Sequence, residues 1–162
     1  MSESLIHIKQ VSDNDFDQVS LFFNDIIHST YQPLFAPDEL QQEMATLPEQ
    51  FHRLWSQRNY PGAAFFIALC NDTLAGFIFM RAVDQTTIFL DYLFVASLYR
   101  RQGIAQLLQE AALSHILITH PQVASMQLKV YKNNHKAYNY YLKRGFVTIS
   151  ESEKRFTMER KL

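Results

Sequence analysis

YRRQGIAQLLQEAA, residues Tyr99 to Ala112, decides how this chain is read. Two arginines and a glycine stand directly before an unbroken helical pattern, in a chain of 162 residues with only four glycines. Ile104, Leu107, Leu108 and Ala111 recur at helical spacing, which predicts a helix to about Thr119. Thr86 to Ala96 before it and Val123 to Tyr131 after it are apolar runs of strand length. Strand, helix and strand across residues 86–131 predict a right-handed parallel crossover.

Outward from this unit the pattern continues in both directions. Leu5, Ile6 and Ile8 begin a short strand, and Ser12-Asp13 are cap residues for an amphipathic helix to about His28. Pro37-Asp38-Glu39 is a second helix start, with helical pieces expected to Trp55. Ala63 to Cys70 and Leu74 to Val83 read as a hairpin about an Asn71-Asp72 turn. A helix over Asn134 to Arg144 and strands at Phe146 to Ile149 and Phe156 to Met158 close the chain. The order is β-α-α-β-β-β-α-β-α-β-β, a mixed α/β chain without repeats or linker, expected to form one domain over residues 1–162.

Bulk composition narrows the function. The hydrophobic fraction is 48% and the aromatic fraction 14%, with 13 Phe and 8 Tyr, so a substantial core is expected. A net charge of −1 provides no field for phosphate backbones, so no nucleic-acid partner is expected. Cys70 is the only cysteine, which excludes an internal disulfide and a cysteine-clustered metal site. His115 and His120 are five residues apart and off a common helix face, and no metal is expected. His115 itself follows the apolar helix pattern and is expected to be buried. No apolar run reaches the roughly 18 residues of a membrane span, and MSESLIHIKQ lacks the character of a leader. The expectation is a soluble, cytoplasmic protein.

Gly103 admits three glycine-loop chemistries. A P-loop requires a second glycine followed by Lys and Ser or Thr, and a dinucleotide fingerprint requires three clustered glycines; both are absent. What remains is Arg100-Arg101-Gln102-Gly103-Ile104-Ala105 between a strand and a helix. The free N–H groups of a helix start suit a pyrophosphate, and glycine admits close backbone approach. A plain strand-to-helix turn with solvated arginines accounts for the same residues.

Leu93-Phe94-Val95 followed by Arg100-x-x-Gly103-x-Ala105 resembles the acetyl-CoA-binding motif of the GNAT family of N-acetyltransferases. Asn134-x-x-Ala137-x-x-x-Tyr141-x-x-x-Gly145-Phe146 matches the spacing that the family carries on the following helix. The resemblance covers essentially the whole chain and is weakest over residues 29–60. It implies a GNAT-like, mostly antiparallel mixed sheet with a central parallel strand pair splayed around the cofactor and helices on both sides. It further implies that backbone groups along Leu93, Phe94 and Val95 bind the pantetheine arm. Arg100, Arg101, Gln102, Gly103, Ile104, Ala105 and Gln106 would hold the pyrophosphate, and Asn134 would contact the cofactor, cap its helix, or both.

The resemblance makes Tyr141 the proton donor to the departing thiolate, whose ordinary pKa is ~8.5. Tyr138 and Tyr140 lie beside it, so packing is the alternative role. Strand alternation puts Asp91 on the face of Phe89, Leu93 and Val95, where an acid among apolar neighbours has a raised pKa. Asp91 is therefore the candidate base or binding group for the amine, or else a carboxylate satisfied by nearby backbone or by an arginine. Tyr31, Phe35 and Trp55 are candidate walls of the acceptor site, with packing in the core the alternative for each. The function implied is direct acetyl transfer from acetyl-CoA to a primary amine of a small molecule or peptide. A non-catalytic acyl-CoA-binding or sensing domain is the alternative, and a homodimer is common in the family.

Overall fold

In the computed structural model, which describes residues 5–162, the first strand is β1 (Ile6–Gln10). Met1 to Ser4, the start of the segment read above for a leader, lie outside the described residues. A 3₁₀ turn (Asp13–Asp15) leads into α1 (Phe16–Tyr31). Here Ser12 is the cap, and Asp15 reaches back to accept from its amide at 2.8 Å. Next come α2 (Pro37–Ala45), with Pro37 in its first turn, and α3 (Leu47–Gln57). The strands β2 (Ala63–Cys70) and β3 (Thr73–Ala82) form the expected hairpin. Asn71 and Asp72 both take positive φ, the conformation a two-residue turn between twisted strands requires.

The remaining elements are β4 (Thr87–Val95), α4 (Ile104–Thr119), β5 (Ser125–Tyr131), α5 (His135–Lys143), β6 (Val147–Glu151) and β7 (Arg155–Lys161). The seven strands make one sheet in the order β1-β2-β3-β4-β5-β7-β6. Only β4 and β5 run parallel; every other pairing is antiparallel. That is the mixed, mostly antiparallel sheet with one parallel pair that the family resemblance implies.

Helices cover both faces. On one, Ile104, Leu108, Ala112 and Ile116 of α4 pack on Ile78, Met80, Ile88 and Leu90. On the other, Val19, Phe23, Ile26 and Ile27 of α1 and Phe51 and Leu54 of α3 pack on Phe65, Phe77 and Phe79. Each fully buried Phe contributes about 1.5–3 kcal/mol of burial free energy, and four of them (Phe23, Phe65, Phe77, Phe79) sit on this second face. The aromatic richness of the sequence is therefore used to fix β2 and β3 as a rigid bed. His115 departs from expectation: it is half-buried, edge-on to Phe66 at 5.7 Å, because the buried stripe of α4 runs through 104, 108, 112 and 116.

One irregularity positions everything that follows. Phe79 faces Tyr92, yet its neighbour Met80 faces Leu90, so Asp91 is an extra residue in β4. Such a bulge bends the strand and increases its twist. The pairing of β4 with β5 ends at the same point: Thr87 to Leu90 pair with Ser125 to Leu128, and no further. Beyond it β5 continues along β7 to Tyr131, while β4 continues along β3 to Val95. The parallel pair therefore opens into a V whose arms are residues 91–95 and 129–131.

Candidate active site

At the end of the β4 arm the chain makes a short turn and starts α4. Arg101 and Gly103 both have positive φ, +66° and +79°. Positive φ at a non-glycine residue such as Arg101 is uncommon and clusters at functional sites. The first backbone bond of α4 runs from Leu107 N–H to Gly103 C=O at 3.1 Å. The six amides from Arg101 to Gln106 therefore donate no hydrogen bond among the described residues. A Cβ built at Gly103 would meet nothing within 4 Å. The glycine is thus not demanded by packing; it supplies the left-handed turn and leaves the space before the amides open. Arg100 Nε donates to the Val95 carbonyl at 3.2 Å and ties this loop to the end of β4. Six free amide donors, a helix N-terminus and two arginines suit a pyrophosphate.

Asn134 is the cap of α5, its Oδ1 accepting from Ala137 N at 3.2 Å. The spacing from Tyr141 to Phe146 also has a mechanical meaning. Gly145, at φ +91°, donates to Leu142 C=O at 3.1 Å, and Phe146 N–H donates to Tyr141 C=O at 3.1 Å. This paired closure of a helix end brings the residue after the glycine against the residue three from the end. Accordingly Phe146, buried in the α4-side core, packs edge-on to the Tyr141 ring at 5.4 Å. Burial, with Tyr140 beside it, raises the Tyr141 hydroxyl well above the usual tyrosine range. It stays an O–H donor at any working pH.

Gly145→Ala is expected to cost about 1–2 kcal/mol, the penalty for placing a Cβ in the left-handed region. The nearest atom to that Cβ, Arg160 Cδ, is at an ordinary 3.5 Å, so the effect is conformational rather than steric. Urea denaturation measures it; a midpoint unchanged from the parent would show that this cap does not hold Tyr141.

Asp91 requires a correction. It shares a face with Phe89, as alternation predicts, but not with Leu93 and Val95. Those two pack on the α4-side core, while Tyr92 and Phe94 pack on the α1–α3 side. The bulge shifts the alternation by one, and a sequence pattern cannot register it. The Asp91 carboxylate is paired with Arg81, which projects from the face of Phe79: Nε to Oδ2 is 2.9 Å and Nη2 to Oδ1 3.4 Å. Burial raises its pKa above the ordinary carboxylate value, and Arg81 and the more distant Arg53 only partly offset this. Tyr141 packs against the same α4-side core as Leu93 and Val95, so the two chemically active candidates lie on opposite faces of the sheet.

The mouth of the V on the α1–α3 side is aromatic. Tyr31, Phe35 and Tyr131 meet edge-on at 5.0–5.5 Å, with Phe94 at 6.4 Å from Tyr31. Of the three expected wall residues, Tyr31 and Phe35 are here. Trp55 is not: it packs on Phe16, Phe51 and Phe65 in the helix-sheet core. Polar contacts lace the mouth to the helices. The Tyr131 hydroxyl donates to Glu43 at 2.7 Å and accepts from Arg155 at 2.5 Å, and Tyr92 O–H bonds Gln50. Burial pushes Tyr92 and Tyr131 up to about 12, so both remain neutral.

Several of these residues are not evident from the sequence. Arg81 was within reach: the Leu74–Val83 run and the Ile88–Val95 run each contain one charge, of opposite sign, on adjacent antiparallel strands. Gly76 allows β3 to approach β4; a Cβ there would come within 2.7 Å of the Phe94 carbonyl. Glu43, Tyr131 and Arg155 are joined across 88 and 24 residues and leave no local signal.

Solved structures with this arrangement include acetyltransferases. The chain superposes on PaiA N-acetyltransferase from Thermoplasma acidophilum, solved in complex with coenzyme A, with a TM-score of 0.83 at 19% identity, covering 98% of this chain and 99% of that one. A GNAT-family acetyltransferase from Staphylococcus aureus matches with TM-score 0.71 at 18% identity over 98% and 99% of the two chains. An acetyltransferase from Thermus thermophilus matches with TM-score 0.68 at 16% identity over 97% of each. No curated protein matches the chain. Among the described residues no group of three His, Cys, Asp or Glu could hold a metal, and no helix is long and apolar enough to cross a membrane. The profile described as "Acetyltransferase (GNAT) family" matches residues 27–146, a span that contains the V, the amide cradle and the capped Tyr141, and the chain belongs to that family of acyltransferases.

Proposed function

We propose that this chain is an acetyl-CoA-dependent N-acetyltransferase that passes the acetyl group directly to a primary amine in a ternary complex. The observation that carries this reading is the V between β4 and β5, with six unbonded amides at the end of one arm. Coenzyme A in the Thermoplasma acidophilum relative supports the same occupant here. Backbone groups of Leu93 and Val95, turned to the side that β5 has left, bind the pantetheine arm as an added strand would, while Phe94 between them bonds back to β3. The amides from Arg101 to Gln106, with the Arg100 and Arg101 side chains, hold the pyrophosphate, and Asn134 adds a contact from its cap position. Bound acetyl-CoA supplies an activated acetyl group and a thiolate leaving group. Tyr141, on the cofactor face, donates a hydrogen bond to the sulfur. Asp91, on the opposite face, accepts the proton of the amine. The buried free thiol of Cys70 fits a reducing, cytoplasmic setting.

Gly103→Val tests the cradle. A β-branched side chain is strained at positive φ and its methyls enter the space before the amides. Losing one or two hydrogen bonds to a charged group weakens binding by about 10–100-fold or more. Calorimetry with acetyl-CoA measures this, with circular dichroism confirming the fold. Parental affinity in folded Gly103→Val protein would overturn the assignment. Release of free thiol on adding amines then separates an enzyme from a binding domain.

A further inference from the structure

The α1–α3 face of β5 and β7 presents three cross-strand pairs: Gln127 with Glu159, Lys129 with Thr157, and Tyr131 with Arg155. Gln127 and Glu159 satisfy each other at 2.7 Å. Lys129 is the first residue on that face beyond Leu128, where β4 leaves β5. It therefore stands on the β5 lip of the V, as Asp91 stands on the β4 lip. A cleft of about 490 Å³ opens beside it, lined by Lys129, Lys154, Arg155, Ser150, Thr157 and the acids Glu151 and Glu153 among others.

The charges of this cleft do not cancel internally. Glu151 is already engaged by Lys132, which is not part of the lining, at 3.5 Å. Lys129, Lys154 and Arg155 have no carboxylate within 4.0 Å among the described residues. The hydrogen bond from Arg155 goes to the neutral hydroxyl of Tyr131. Ser152 is used in closing the β6–β7 turn, accepting from Arg155 N at 3.2 Å. What remains toward the cleft is Lys129 and Lys154, together with Arg155, which also faces Glu43 through the shared Tyr131 hydroxyl, opposed by Glu153.

We propose that the acceptor amine also carries an anionic group, a carboxylate or a phosphate, which Lys129, Lys154 and Arg155 hold in this cleft with the amine toward Asp91. The proposal rests on the acetyl-transfer reading and names its substrate class. It has a chemical consequence at the amine. Cations beside an ammonium disfavour the charged form, so the same residues that hold the anion favour the neutral nucleophile. Asp91 then has less work to do as a base.

The test compares matched acceptors in the thiol-release assay with acetyl-CoA: amino acids against their amides, and O-phosphoethanolamine against ethanolamine. The anionic member of at least one pair is expected to have the higher kcat/KM, by about tenfold or more, the range of a hydrogen bond to a charged group. Which pair responds distinguishes carboxylate from phosphate. Lys129→Gln and Lys154→Gln, both exposed positions, should move that ratio toward one by raising KM for the anionic member, and added salt should do the same. Uncharged members acetylated as well as their anionic partners, or a ratio unmoved in both variants, would overturn the inference and leave the acetyltransferase reading intact. No thiol release from any member of either pair would overturn both.

Discussion

Replacing Tyr141 with Phe is expected to lower kcat by about 10²–10³-fold, the range for losing one hydrogen-bond donor to charge developing in the transition state, with the acetyl-CoA dissociation constant nearly unchanged. The ring is retained, so its edge-on contact with Phe146 and the closed end of α5 are retained too. Only the hydroxyl is lost. Because burial lifts that hydroxyl above the ordinary tyrosine range, its proton remains on oxygen when a thiolate of pKa ~8.5 departs. Its contribution is then a hydrogen bond to developing charge, in a site that bound cofactor would make drier. The pH–rate profile of the parent should accordingly show no basic limb from a tyrosine below about 10. Parental kcat in Tyr141→Phe would leave Tyr141 a packing residue and return the thiolate to water.

Asp91→Asn is expected to cut kcat/KM for the amine by about 10²-fold or more and to remove the acidic limb of the pH profile, leaving acetyl-CoA binding as it was. Stability should move differently. The folded state raises the pKa of Asp91 by burial, with Arg81 and Arg53 opposing. A raised carboxylate favours the fold below its unfolded value, 3.8, and that contribution is lost as pH rises through the folded value. At neutral pH the ionised Asp91 is therefore a cost, and a neutral isostere removes it. Arg81, with a side chain 41% exposed, can turn to solvent or donate to the Asn oxygen. The melting temperature of Asp91→Asn at neutral pH should equal or exceed that of the parent while activity falls. A variant less stable yet with an intact pH–rate profile would make the Arg81–Asp91 pair purely structural.

Every strand and most helices could be read from the residues; the helical stretch to Trp55 is two helices, α2 and α3, one more than the order read from sequence. Periodicity located α4, β4 and β5, and Asn71-Asp72 placed the hairpin turn, because these signals are local and the chain has few competing glycines and prolines. The cradle was legible for the same reason. A glycine after two arginines at a helix start is a local statement about backbone freedom and free amides, and residues 101–106 have both. Tyr141, Gly145 and Phe146 stood out only through the family resemblance; that their spacing closes a helix end is seen in the structure.

What the sequence determined by itself, then, was local: the starts of α2 and α4, the hairpin turn, and the glycine that opens α4, at +79° in the structure. Tertiary structure alone decided which face each strand residue occupies past the bulge, and hence that Asp91 and Tyr141 lie on opposite faces of the sheet. It alone placed Trp55 in the core, coupled Glu43 and Arg155 through Tyr131, and brought Lys129 to the lip facing the cationic cleft. The physical reason is the same in each case. A strand's alternation has a period of two, so a single inserted residue reverses it, and where β4 absorbs that residue depends on its register with β3, which no local pattern records.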